Sequence, residues 1–288
     1  MRAFKTYIMG PMSTRSQVQR TTGKFLDRNP VFSRSMFAEA HGEPESSTAL
    51  AKRLKYLQSR ERIVSLERGL YATVRPGDDP EATVPDPYLV GAVLRPDGVF
   101  AYHSALTLLG AGHSDWGVVT LLSHSRRRPL VLRGGRVEVL PHPAILVRRA
   151  LTEVGVRSVP FLDRTLRVTG PERTLVDGFR RLDLVGGLEE LVSSAAGFPS
   201  LDFEEMDAVL DAYGVHNLYA GVGWFLEAHQ EHFFVSDDYL AQLEKRRPAA
   251  PQYLPRRGRI EDAAGRMVPR WNLILPEALL DGLVDDEP

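Results

Sequence analysis

The stretch Ser46–Val74, S-S-T-A-L-A-K-R-L-K-Y-L-Q-S-R-E-R-I-V-S-L-E-R-G-L-Y-A-T-V, carries a helical pattern that passes at once into a two-stranded one. Leu50, Leu54 and Leu57 recur at i, i+4 and i+7, the spacing of one buried helix face. Ser46 or Ser47 is placed to cap that helix, since a hydroxyl accepts from the free amides of a first turn. On the opposite face stand Thr48, Lys52, Lys55 and Ser59, polar and basic with no carboxylate among them. Arg53 and Tyr56 flank that face, where they can stack or reach a phosphate. Ile63, Val64 and Leu66 then read as a first strand and Leu70 to Val74 as a second. Glu67-Arg68-Gly69 is the turn, with Gly69 at the position that wants a positive φ. A helix followed directly by a hairpin is the order of the reading half of a winged helix-turn-helix. Its helix enters the major groove, and its wing meets the backbone. Arg68 at the tip, with Arg60 and Arg62 at the start of the hairpin, are the candidate phosphate contacts; plain solvation is the alternative.

Upstream, Ser13 to Arg28 reads as a helix burying Val18, Thr22, Phe25 and Leu26, ended by Asn29-Pro30 because a residue before proline is pushed out of the helical region. Ser33 caps a second helix through Phe37, Ala38 and Ala40, and His41-Gly42-Glu43-Pro44 is the turn into the third. A DNA-binding domain over residues 13–76 results, with residues 1–12 as a leader that need not be ordered. Arg75 to Pro87, R-P-G-D-D-P-E-A-T-V-P-D-P, is rich in proline, glycine and carboxylates and reads as a linker, taken as 77–87.

From residue 88 to 280 the pattern is mixed α and β. Pro87 to Leu94 and Phe100 to Leu109 read as helices, Val118 to Ser123 and Arg136 to Leu140 as strands. Two further strands flank the turn Leu162-Asp163-Arg164. Thr169-Gly170-Pro171-Glu172 opens a helix, with Thr169 as its cap, Pro171 in the first turn and Glu172 at the capping-box position. Helices follow at Leu188–Ala195, Phe203–Tyr213 and Val222–His229. The end reads as loop, with an acidic tail over 281–288. The fold class is therefore α+β, a winged helix-turn-helix followed by a larger mixed α/β domain.

Composition narrows the function. The 288 residues suggest two domains, and the chain has no cysteine, which excludes disulfides, thiolate metal sites and cysteine nucleophiles. No apolar run is long enough to cross a membrane, the opening residues are too short and broken for a signal peptide, and a cytoplasmic protein is expected. A net charge of −1 hides an asymmetry. Up to Pro76 there are 14 Lys and Arg against 6 Asp and Glu; beyond it, 22 against 31. A basic front on an acidic body is the split expected when one domain meets a polyanion.

Catalytic signatures are lacking. Neither G-x-S-x-G nor a Walker P-loop occurs. His229 and His232 have no further ligand at a helical offset. Asp237-Asp238 lacks the glycine-serine loop of a nucleotidyltransferase, Gly221-Val222-Gly223-Trp224 being a poor match. Gln242-Leu243-Glu244-Lys245 has the wrong spacing for a nuclease. Glu172, Arg173 and Asp177 are explained by capping and a local ion pair. Arg126, Arg127 and Arg128, and Arg256, Arg257 and Arg259, are either secondary nucleic-acid patches or local charge balance; Arg126–Arg128 with Arg173 form a candidate second patch. No catalytic residue, cofactor or metal is expected, and the chain is not read as an enzyme.

In order along the chain, R-E-R-I-V-S-L-E-R-G-L-Y-A-T-V, A-Y-H-S-A-L-T-L-L-G-A-G at 101–112, V-T-G-P-E-R-T-L-V-D-G at 168–178, G-G-L-E-E-L and the terminal W-N-L-I-L-P resemble the AbiEi-type antitoxins of type IV toxin–antitoxin (abortive-infection) systems. The most specific of these is P-E-R-T-L-V-D. The resemblance implies a winged helix that binds inverted repeats in double-stranded DNA and represses its own operon. It further implies a C-terminal domain that neutralises a nucleotidyltransferase-like toxin without a stable complex. On the matching positions it makes Thr48, Lys52, Lys55, Arg68 and Gly69 the DNA contacts, extended on the residue reading to Ser47, Arg53, Tyr56, Ser59, Arg60 and Arg62. The alternative is a solitary winged-helix transcription factor whose C-terminal domain senses a ligand or partner.

Overall fold

The computed structural model describes residues 14–114, 116–254 and 265–285, with side chains from residue 18 to 281 within those ranges. The expected leader, Arg256, Arg257, Arg259 and the last residues of the acidic tail lie outside them. Thirteen α-helices and twelve β-strands among the described residues make this a mixed α and β protein.

The chain divides into two compact units. The first runs to Pro96 and takes in Val131–Gly135; the second holds Asp97–Leu130 and the chain from Arg136 onward. In the first, α1 (Thr14–Arg28), β1 (Val31–Ser33), α2 (Arg34–Ala40), α3 (Thr48–Ser59), β2 (Ile63–Glu67), β3 (Leu70–Thr73) and α4 (Pro87–Leu94) follow in order. The three strands form one antiparallel sheet in the order β1-β3-β2. Strand β1 has no counterpart in the sequence reading. Its three residues are too few to show an alternation, and pairing with β3 creates it, Val31 opposite Ala72 and Ser33 opposite Leu70.

Local chemistry fixes the ends. Ser33 accepts from the Met36 amide and caps α2; of the two serines before α3, Ser47 caps it, accepting from the Leu50 amide at 3.2 Å. Strand β2 runs on to Glu67, so the turn shortens to Arg68-Gly69, with a bulge between Ser65 and Glu67 and Gly69 at φ +82°. Leu50, Leu54 and Leu57 are buried as their spacing requires, packed with Leu26, Phe32, Phe37, Ala38 and Ile63. Phe25 meets both Phe32 and Phe37 edge-on at centroid distances of 5.1 and 5.2 Å, a favoured aromatic geometry.

The division after Pro96 lies beyond the linker expected at 77–87. Helix α4 carries Leu89, Val90 and Val93 buried and packs on β1, and the Arg133 guanidinium donates to the Glu81 carbonyl. Residues 77–95 therefore belong to the first unit, because α4 covers its apolar face there.

The second unit is built on β4 (Val99–Phe100), β5 (Val118–Ser123), β7 (Gly135–Pro141), β8 (Val156–Phe161) and β9 (Arg164–Thr169), in the order β7-β5-β4-β9-β8; β6 (Leu130–Leu132) and the first residue of β7 straddle the division of the chain. Pairs β5–β7 and β4–β9 are parallel, the others antiparallel. Helix α5 (His103–Leu108) starts later than expected: Phe100 is in strand, and Tyr102 has φ +59°, which no helix continues through. Helix α7 (Pro171–Arg180) lies at the centre, buried from Pro171 to Phe179 and packed by α8 (Leu188–Ala196), α9 (Phe203–Tyr213) and α10 (His216–Ala228). Thr169 does not cap it. Its hydroxyl bonds that of Thr174 at 2.8 Å, and Gly170 precedes the helix without a side-chain cap.

Among the described residues the end is not all loop. Strands β10 (Gln252–Tyr253), β11 (Gly265–Val268) and β12 (Leu273–Pro276) form a small sheet, and α13 (Glu277–Asp285) takes up much of the expected acidic tail. The glycines of Gly221-Val222-Gly223 are explained by packing, since both lie in α10. A Cβ on Gly221 would stand 2.8 Å from Phe179 Cδ1, and one on Gly223 would enter the ring of the buried Trp271. Gly223→Ala is therefore expected to destabilise the protein by about 1–3 kcal/mol through overpacking, read as a lower urea midpoint.

Candidate nucleic-acid interface

Three turns of α3 decide what the first unit presents. With its leucines buried, the helix leaves Thr48, Lys52, Lys55 and Ser59 exposed on the opposite side, and its twelve residues contain no Asp or Glu. The Ser59 hydroxyl turns back to the Tyr56 carbonyl at 2.9 Å, so it contributes shape more than a free donor. Ser47 is likewise committed: besides capping, its hydroxyl donates to Glu43 at 2.7 Å, and that bond, with the Arg53 guanidinium, holds the Glu43 carboxyl below its ordinary range.

The structure separates the flanking residues from the lysine face. Arg53 is half-buried and donates to Glu43 at 3.0 Å, which removes it from the group of freely presented cations. Tyr56 is 56 % exposed, with the Arg60 guanidinium 5.6 Å from its ring centroid. Arg62 is half-buried, and Val74 donates to its carbonyl, closing the base of the hairpin. Arg68 is exposed at the hairpin tip beside Gly69, whose carbonyl accepts from the Arg34 amide at 2.8 Å. Helix α1 is tied to α2 through Thr22, whose hydroxyl bonds His41 at 2.9 Å, while the other His41 nitrogen bonds the Phe37 carbonyl. Burial holds that imidazole below its usual pKa.

The second patch does not assemble. Arg126 and Arg128 are exposed after β5 and Arg127 is half-buried, but Arg173 is 0 % exposed inside the unit. Its Nη1 donates to the Thr152 and Val154 carbonyls at 2.6 and 2.7 Å, and its Nε faces Asp177 at 3.3 Å. Asp177 also accepts from the Tyr213 hydroxyl, and Arg180 donates to the Tyr102 hydroxyl at 2.6 Å. Burial and the Asp177 charge push the Tyr213 phenol far up, and burial with Asp177 pushes Tyr102 up to about 12. Glu172 is not part of a capping box. It accepts from the Asp202 amide at 2.8 Å and pairs with Arg157, and burial raises its carboxyl above the ordinary value. The chemistry-bearing residues of P-E-R-T-L-V-D thus form an internal scaffold. His229 and His232 each bond a backbone carbonyl, Phe225 at 2.8 Å and Phe198 at 3.0 Å.

No family model matches the chain, and no curated protein matches it. Among solved structures, the RV2827C protein from Mycobacterium tuberculosis is similar in fold, with a TM-score of 0.62 at 18% identity, over 96% of this chain and 97% of that one. A likeness at that identity is one of fold.

Proposed function

We propose that the protein is a DNA-binding regulator whose first unit acts as a winged helix-turn-helix. The observation that carries this is the exposed face of α3, where Thr48, Lys52 and Lys55 stand without a carboxylate beside a hairpin tipped by Arg68. Helix α3 is the reader in the major groove and the β2–β3 hairpin the wing on the phosphate backbone. The lysines supply salt-sensitive phosphate affinity or base-edge contacts, and Arg68 supplies the backbone anchor. Taken with the sequence resemblance to AbiEi-type antitoxins, the reading extends to an autorepressor of a toxin–antitoxin operon. Its C-terminal domain there counters a nucleotidyltransferase-like toxin. In the second unit, most polar groups of its most specific motif, P-E-R-T-L-V-D, are engaged within the fold.

A salt-titrated gel shift on the chain's own upstream region, against unrelated DNA of equal length, tests the first half. Specific binding at least about 10³-fold tighter than to the unrelated DNA is expected. Equal, weak binding to both would reduce the first unit to a nonspecific anchor. Co-expression with the neighbouring gene product tests the second half. A neighbour that does not arrest growth, or arrests it equally with and without this chain, removes the antitoxin reading and leaves the regulator.

A further inference from the structure

Between α1 and the second half of α3, wholly within the first unit, lies a cavity of about 490 Å³, inside the usual size range of small-molecule sites. Gly23 of α1 and Leu57, Arg53, Tyr56, Arg60 and Arg62 line it, so three arginines and no acidic residue border it. Two of their donors, Arg53 Nη1 and Arg62 Nε, are buried without an acceptor. A buried donor without a partner is costly and calls for an explanation. Glu43 satisfies only the other side of Arg53. The exposed ring of Tyr56 offers a flat face with the Arg60 charge beside it. Gly23 is mid-helix, where glycine is a poor choice, and a Cβ there would meet nothing within 4 Å, so the space is open on the α1 side as well.

At about 100° per residue, Arg53, Tyr56 and Arg60 lie roughly a quarter turn around α3 from Lys52, Lys55 and Ser59. The cavity therefore lies beside the Thr48, Lys52 and Lys55 face, and Arg53, Tyr56, Arg60 and Arg62, expected from the sequence as DNA contacts, are assigned to it instead. We propose that it binds a small organic anion with a planar aromatic body. The carboxylate or phosphate of that anion is taken by Arg53 and Arg62 after a modest swing of their long side chains, and its ring lies on Tyr56. Guanidinium forks suit both anionic groups. The inference stands whether or not α3 reads DNA.

Isothermal titration of the full chain tests it with 1-naphthoate and AMP as the carboxylate and phosphate forms. Adenosine is the ring without charge, and inorganic phosphate the charge without ring. One or both ring anions are expected to saturate a single site with Kd at or below about 1 mM, and each control to bind at least about tenfold more weakly. Gly23→Leu, which fills the cavity from α1, and Tyr56→Ala, at an exposed ring whose loss spares the core, are each expected to weaken binding tenfold or more. Lys52→Ala with Lys55→Ala should leave it unchanged, which separates this site from the DNA reading. No saturable binding of either ring anion, phosphate binding as tightly as both, or unaltered binding in the cavity variants would overturn the proposal.

Discussion

Lys52→Ala combined with Lys55→Ala is expected to weaken binding to the upstream region on the order of 100-fold while leaving the fold intact. Both side chains are exposed and neither packs in the core of the first unit. Substitutions of that kind ordinarily change stability by no more than about 0.5 kcal/mol. The loss in affinity is thus attributable to contacts. Two lost contacts to bases or phosphates at about 1–3 kcal/mol each bracket the expected factor. The salt dependence divides the two kinds of contact. Each lysine that neutralises a phosphate removes about 0.9 from the slope of log K against log salt, whereas a base-edge contact lowers affinity for the preferred sequence and leaves unrelated DNA little affected. Arg68→Ala serves as the comparison, since its tip position predicts a uniform loss on all sequences. Undiminished, specific binding by the double-lysine variant would move the reading surface off α3.

The lysine face was legible because α3 is twelve residues long and its leucines recur at helical spacing; the periodicity that buries them dictates what is left outside. The hairpin was legible through Gly69. What escaped has a common physical cause, partners distant in sequence. Arg53 reads as a free flank until the turn brings Glu43 to it across ten residues. Strand β1 and the sheet of β10, β11 and β12 are two to four residues long and exist by pairing, without an alternation of their own. Likewise α4 reads as the far side of a linker, because nothing local reveals that β1 is the surface it covers. Gly23 is the one mark the α1–α3 cavity leaves in the sequence, and a single helical glycine is too common to be read as an opening.

Asp177→Ala is expected to cost about 3–5 kcal/mol, the range for removing one partner of a buried ion pair. A loss of that size is a large fraction of the about 5–15 kcal/mol that holds an ordinary domain. The reason lies in what the carboxylate satisfies. Arg173 and Asp177 are both wholly buried 3.3 Å apart, Tyr213 donates to the same carboxylate, and the Arg180 Nε stands 3.9 Å away. Removing it strands a guanidinium and a phenol in the interior, whereas Asp177→Asn keeps an acceptor for Tyr213 and should lose less. Arg157→Gln is the counterweight: that side chain and its partner Glu205 are partly exposed, and the buried Glu172 keeps the Asp202 amide as a donor, so a smaller loss than for Asp177→Ala is expected. Urea unfolding followed by tryptophan fluorescence reads the right part of the chain, because all three tryptophans, Trp116, Trp224 and Trp271, lie beyond Asp97. An unchanged midpoint for Asp177→Ala would refute the scaffold role. The motif's carboxylates and guanidinium would then need a use outside the fold.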